Sequence, residues 1–254
     1  MHIALGFEQL DTSTPLMKEI FNGHNNKQAQ NASVKNCKRL PCTLKLLNLL
    51  KTEIRLSNIP EKDKLMIWAC CTVSFYGALR PGEALSKYEN FFDPSLTLCK
   101  KDVKIVKGRG GEKDAIHLDI KNSKTNKSGV AETIVIYSTN DSTCPVRAVH
   151  KLICNNVNIS QNSPFFINEN GKPLTQRKFN SILKTLTKSI AKHGVISGHS
   201  FRSGITSMLA KKGFSDSCLK KIGRWSSRAF KAYIKMKRTM RHEMAVACSN
   251  VNMT

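Results

Sequence analysis

Residues 103–137 read VKIVKGRGGEKDAIHLDIKNSKTNKSGVAETIVIY, and this stretch decides the fold class. Within it Val103-Lys-Ile-Val106, Ala115-Ile-His-Leu-Asp-Ile120 and Glu132-Thr-Ile-Val-Ile-Tyr137 alternate or run β-branched, as strands do. Between them lie Gly108-Arg-Gly-Gly111 and Ser123-Lys-Thr-Asn-Lys-Ser-Gly129, two turn-rich, basic connections. The spacing predicts one three-stranded antiparallel sheet.

Outward from the sheet the period changes to that of helices. Upstream, Pro41 and Thr43 punctuate the start of a helix with Leu44, Leu47, Leu50 and Ile54 on one face. A second helix, Glu61 to Tyr76, is apolar on most sides (Leu65, Ile67, Trp68, Val73, Phe75), which predicts burial. Gly77 ends it, and Pro81 is placed to begin a short helix after Arg80. Downstream, Cys144 to Asn155 reads as helix, and Phe165-Phe-Ile167 leads into the turn Asn168-Glu-Asn-Gly171. Thr175 caps a helix expected to run to about Lys192, with Gly194 as its stop. Further helices are expected near Ser200–Lys212, Asp216–Ile222 and Ser227–Lys237, with Ser215 and Ser226 as caps. The fold class is mainly α with a small three-stranded antiparallel sheet (α+β). Residues 1–42, rich in Asn, Gln and Lys from Asn22 to Lys38, read as a polar arm. Residues 43–240 form the main domain and 241–254 a short tail.

Composition narrows the function. Lys and Arg number 41 against 18 acids, a net charge of +23, which favours a polyanionic partner. The charge is uneven: between Arg177 and Arg241 there are 17 lysines and arginines against one acid, Asp216. No apolar run reaches the eighteen or so residues of a membrane helix, and no basic n-region precedes an apolar run at the start, so the chain reads as soluble and intracellular. Nine cysteines are too oddly numbered and spaced for a disulfide framework or a zinc site; they read as reduced, small apolar fillers.

Five short elements then occur in order: Gly77-Ala-Leu-Arg-Pro-Gly-Glu83, Ser123-Lys-Thr125, His199-Ser-Phe-Arg202, Gly223-Arg-Trp225 and Tyr233. Singly each is weak, since a His-x-x-Arg on a helix is more often a packed His beside a solvated Arg. Together they describe one reaction. Charged phosphodiester oxygens repel nucleophiles, and two arginines neutralise and orient those oxygens with planar forks. A histidine and an indole N–H add donors as charge develops. A tyrosine among cations is a sensible nucleophile, because cations favour the phenolate. The leaving 5′-oxygen needs a proton, which a lysine on a hairpin tip can supply. The resulting phosphotyrosine ester conserves bond energy, so no cofactor is expected, neither ATP nor metal; the chain has no P-loop and no carboxylate cluster for Mg²⁺.

The stretches GALRPGEAL, NSKTNK, GHSFRSG and IGRWSSRAFKAYI resemble the signature of the tyrosine recombinase (phage integrase) family. With Trp in the fourth box, the chain is most similar to recombinases of eukaryotic Crypton and DIRS-type mobile elements. The likeness covers roughly Arg39 to Lys237. It implies the catalytic-domain fold of that family for 43–240, and a remnant of its core-binding domain in 1–42. It implies Arg80 and Arg202 as the phosphate-clamping pair, and His199 as a phosphate ligand that assists proton transfer. Trp225 takes the position of the second His or Trp, and Glu83 supports the site. Lys124 is the general acid, with Lys127 close enough to contest that role, and Tyr233 is the nucleophile, eight residues after Trp225 rather than the nine of many bacterial members. The partner implied is double-stranded DNA, bound as a synaptic homo-tetramer, in the nucleus. Expected backbone contacts are Lys107 and Arg109 on the first connection and Arg177, Lys178 and Lys184 on the helix after Thr175. A catalytically silent DNA-binding module and a type IB topoisomerase-like enzyme remain as alternatives.

Overall fold

The computed structural model describes residues 39–121, 131–191 and 194–225, all within the compact unit that begins at Arg39. Lys124, Lys127, Tyr233 and the helix expected over Ser227–Lys237 lie outside the described residues. The elements run α1 (Leu44–Leu56), α2 (Glu61–Tyr76), α3 (Pro81–Ala84), a 3₁₀ turn (Lys100–Asp102), β1 (Val103–Val106), β2 (Ala115–Ile120), β3 (Glu132–Tyr137), α4 (Pro145–Asn155), α5 (Gln176–Leu186), α6 (Gly198–Lys211) and α7 (Asp216–Ile222).

Helix α2 is the axis of the core. Met66, Ile67 and every residue from Ala69 to Phe75 are buried, because α1, α4 and α6 cover it on different sides. That accounts for an apolar character without a polar stripe. Helices α1, α4 and α5 are instead amphipathic and bury one face each: Leu47, Leu50 and Ile54; Val146, Val149 and Leu152; Phe179, Leu183 and Leu186. Thr43 and Thr175 cap α1 and α5 by accepting the backbone N–H three residues on.

The sheet has the order β1-β2-β3, antiparallel throughout, with Ile105 opposite Ile116 and Ile116 opposite Ile136. Leu118 and Ile120 join Ile116 on the face turned to the core, as the period of two requires. Among the described cysteines Cys42, Cys70, Cys71, Cys99 and Cys144 are buried free thiols, as fillers are, whereas Cys154 and Cys218 are exposed and fill nothing.

Two helix bounds differ from expectation. Helix α5 stops at Leu186, well short of Lys192. Buried Thr187 turns its hydroxyl back onto the Leu183 carbonyl at 2.7 Å, and separate turns follow. Helix α6 begins at Gly198 rather than Ser200, because the Ser200 hydroxyl accepts the Ser197 N–H at 3.0 Å and so closes the first turn.

The strand-like lead into α1 crosses α6 at close range. Leu40 N–H donates to the Val195 carbonyl and Cys42 N–H to the Ser200 carbonyl. Gly204 makes this possible: a Cβ there would lie 1.8 Å from the Cys42 carbonyl oxygen. The obstacle is backbone on both sides, so no rotamer change relieves it. Gly204→Ala is therefore expected to cost about 3 kcal/mol or more in urea unfolding. A variant within about 0.5 kcal/mol of the parent, the range of ordinary surface changes, would show that the crossing is loose.

Candidate active site

The site begins where α2 ends. Gly77 terminates the helix, Ala78 takes a left-handed φ of 46°, and Arg80 is extended before Pro81 opens α3. Glu83, one turn on, reaches back: its carboxylate accepts the Arg80 backbone N–H at 2.8 Å and Arg80 Nη1 at 2.8 Å. It also accepts Arg224 Nη2 at 2.6 Å. Burial pushes the Glu83 carboxyl up, but the Arg224 charge and the Arg80 hydrogen bonds outweigh it and hold the group below its ordinary value. Glu83 is thus an ionised, buried carboxylate that fixes the orientation of Arg80, whose own side chain keeps partial exposure.

The first turn of α6 lies directly against this box. Gly198 leaves room for the Pro81 ring, where a Cβ would be 2.4 Å from Pro81 Cγ. Gly198 N–H donates to Asn180 Oδ1 of α5 at 2.9 Å, and Phe179 stacks on Phe201 with centroids 6.0 Å apart. This support sets His199 and Arg202 on one face, since residues three apart on a helix are neighbours. His199 is exposed. Arg202 is 1% exposed and is the largest of the fully buried side chains. Its Nη1 donates to the Ala78 carbonyl at 2.8 Å and its Nη2 to the Gly223 carbonyl. The Trp225 ring covers its flat side with the guanidinium carbon 4.4 Å from the centroid.

These placements bring Arg80, Glu83, His199, Arg202 and Trp225 into one assembly drawn from α2–α3, α6 and the turn after α7. The assembly is cationic, with one carboxylate, Glu83, against the two arginines, and Arg224 adds a third positive charge behind Glu83. The His199 ring registers this excess: desolvation, then the charges of Arg39, Arg202 and Arg80, lower its pKa from 6.5, and Glu83 only partly compensates. Such a cluster has the charge and the donors to bind a tetrahedral oxyanion.

A phosphodiester brought to it raises the His199 pKa again. Binding then takes up a proton between the free and the bound values. Affinity is expected to rise, by at most about tenfold per pH unit, as pH falls from the bound value towards the free one, which lies below 6.5. His199→Gln should flatten that part of the profile; parallel curves for the two proteins would remove His199 from the anion site.

The remaining expected residues are spread out. Lys107 and Arg109 are exposed on the β1–β2 connection, with Lys107 paired to Asp114 at 2.8 Å. Arg177, Lys178 and Lys184 line the exposed face of α5, opposite its buried stripe. Two residues of the neighbourhood escaped the sequence reading. Arg39 acts on His199 from the segment paired with Val195. Arg224 was in view inside Gly-Arg-Trp but has no periodicity to mark it.

The family model described as the phage integrase family matches residues 96–238. Among curated protein sequences none matches the chain. Of solved structures, a XerH site-specific recombinase bound to difH substrate, in a pre-cleavage complex, superposes with a TM-score of 0.56 at 15% identity, over 82% of this chain and 54% of that one. XerA recombinase gives 0.56 at 15% identity, over 84% and 65%. An Flpe–Holliday junction complex gives 0.51 at 16% identity, over 93% and 55%. The likeness at this identity is one of fold, and the chain spans roughly half to two thirds of the length of these proteins.

Proposed function

We propose, from the premise that this chain belongs to the phage integrase family of tyrosine recombinases, that it cleaves and rejoins duplex DNA at specific sites through a phosphotyrosyl link. The observation that carries the reading is the convergence of Arg80, Glu83, His199, Arg202 and Trp225, residues scattered over 146 positions, on one cationic cluster. In the reaction the Tyr233 oxygen attacks the scissile phosphorus and the 5′-oxygen leaves. A 3′-phosphotyrosyl ester remains. Lys124, or Lys127 beside it, gives the leaving oxygen its proton. Arg80 and Arg202 neutralise the non-bridging oxygens, His199 binds them and moves a proton, and the Trp225 indole lies beside them. Attack by a 5′-hydroxyl on the ester reverses these steps, so the bond energy is kept and no cofactor is consumed.

Residues 43–240 are assigned as the catalytic domain, 1–42 as an arm derived from a core-binding domain, and 241–254 as a tail. The cations on the exposed face of α5 and on the β1–β2 connection suit DNA backbone contacts. A homo-tetramer in synapsis, a nuclear site of action and an origin in Crypton- or DIRS-type mobile elements complete the reading; they rest on the family resemblance.

The test mixes the chain with randomised nicked duplexes without Mg²⁺ and scores an SDS-resistant protein–DNA adduct. Adduct formation at a recurring sequence is expected. Salt-sensitive duplex binding with no adduct would leave a silent DNA-binding module, and supercoil relaxation without recombinants would leave a topoisomerase-like enzyme.

A further inference from the structure

Among the described residues, two that are not glycine adopt positive φ: Ala78 at 46° and Arg224 at 50°. They meet. Arg224 Nη2 donates to the Ala78 carbonyl at 3.3 Å and Nη1 to the Gly77 carbonyl at 3.1 Å. Left-handed backbone is unfavourable for any residue with a Cβ, and Gly223 next door could adopt it without cost. Gly223 instead keeps φ at −85°, and a Cβ there would strike the Trp225 ring at 1.8 Å. The glycine is committed to the tryptophan, so the unfavourable conformation falls on Arg224. Such conformations persist where the surroundings over-determine them, and they cluster at functional sites.

What holds Arg224 is its guanidinium. Nη2 reaches Glu83 Oε2 at 2.6 Å, and the two side chains are 8% and 2% exposed. Nε lies 3.9 Å from Glu132 Oε2. One fork therefore touches three parts of the site. These are the end of α2, the carboxylate that orients Arg80, and the residue that opens β3 just after the connection carrying Lys124. Arg80 keeps 19% of its side chain exposed, whereas the Arg224 side chain is 8% exposed, with both Nη groups on protein oxygens and Nε buried without a hydrogen bond.

We infer that Arg224 is a positioning residue: it holds Glu83, and through Glu83 the fork of Arg80, in register with the Gly223–Trp225 turn that leads towards Tyr233. A lysine keeps the charge but not the fork, which here serves a carboxylate and two carbonyls at once. This inference rests on the recombinase reading and adds a residue to it.

The test uses the full chain and the duplex sequence recovered from the adduct assay, with Arg224→Ala, Arg224→Lys and Arg224→Gly. Arg224→Ala should bind duplex within about threefold of the parent but form adduct about 100-fold more slowly, the loss typical of a misplaced charge-stabilising donor. Arg224→Lys should recover part of the rate. Arg224→Gly relieves the backbone and should recover none. A duplex with a neutral methylphosphonate at the scissile position needs less charge neutralisation, so the Arg224→Ala loss there should shrink to about tenfold or less. Full recovery in Arg224→Gly would overturn the inference, since the residue would then serve only the bend. So would an equal loss on both substrates. Absence of adduct from the parent chain sinks the recombinase reading instead, and unfolding then decides on Arg224. Coupling of Arg224→Ala with Glu83→Gln by tenfold or more in the unfolding constant, about 1.4 kcal/mol, keeps the positioning contact; additive effects discard it.

Discussion

Tyr233→Phe is expected to abolish the SDS-resistant adduct, a loss of more than about 10⁴-fold, with duplex affinity unchanged within about twofold. The substitution removes one oxygen atom and touches no lysine or arginine, so phosphate contacts made by those residues persist. The chain has four tyrosines, and the other three serve elsewhere. Tyr76 is half-buried with its hydroxyl 2.6 Å from Thr143 Oγ1, and burial pushes its phenol up, away from the phenolate. Tyr88 packs edge-on against Phe91 under Lys87. Tyr137 ends β3 opposite Ala115. Tyr88→Phe and Tyr137→Phe are therefore control proteins that should form adduct at about the parental rate, as surface changes usually leave function intact. An adduct that survives in Tyr233→Phe and vanishes in one of the controls would move the nucleophile and break the correspondence with the family order.

The fold was legible because its signals are local. Alternation marks β1 to β3, Gly77 and Pro81 bracket the bend after α2, and Thr43, Thr175 and Ser215 cap the helices whose faces they precede. The end of α5 was misread because it depends on Thr187 turning its hydroxyl inwards, which a buried position decides and a propensity scale does not. The sequence names candidate site residues but does not show how each is held. Arg80, His199 and Arg202 stand out by order and spacing. That Arg202 donates to Ala78, 124 positions away, is a tertiary fact with no sequence period. Glu83 was read as a support, but its second partner, Arg224, requires a left-handed arginine that no rule of composition would place there. Glycine is the residue expected at such a φ, and the chain has one beside it; only the Trp225 ring explains why the arginine takes the strain.

Arg202→Lys is expected to lower adduct formation by about 10²–10³-fold, and Arg202→Ala to destabilise the domain as well, by about 3–5 kcal/mol. The two numbers have different origins. In the alanine variant the buried Gly223 carbonyl loses its Arg202 donor at about 1–3 kcal/mol, the Ala78 carbonyl keeps only its longer bond from Arg224, and the cavity left under Trp225 adds to that. Lysine keeps a charge but offers no planar fork. It can satisfy one carbonyl, not both, and it cannot lie flat against the indole. The Arg202 side chain is 1% exposed, with both of its Nη groups on backbone carbonyls. The Ala78 carbonyl is held by Arg224 too, through the end of α2; the Gly223 carbonyl belongs to the turn that leads to Trp225 and on towards Tyr233. Loss of the planar fork therefore removes a pin between the end of α2 and the Gly223 turn as well as a donor for the proposed phosphate site. The consequence is measurable in two assays on the same protein. Arg202→Lys should unfold within about 2 kcal/mol of the parent while losing most of its cleavage rate, the separation expected of a group whose donors matter most when charge develops. Retention of more than a tenth of the rate, with the stability loss intact, would make Arg202 a structural pin and leave Arg80 and His199 to hold the phosphate.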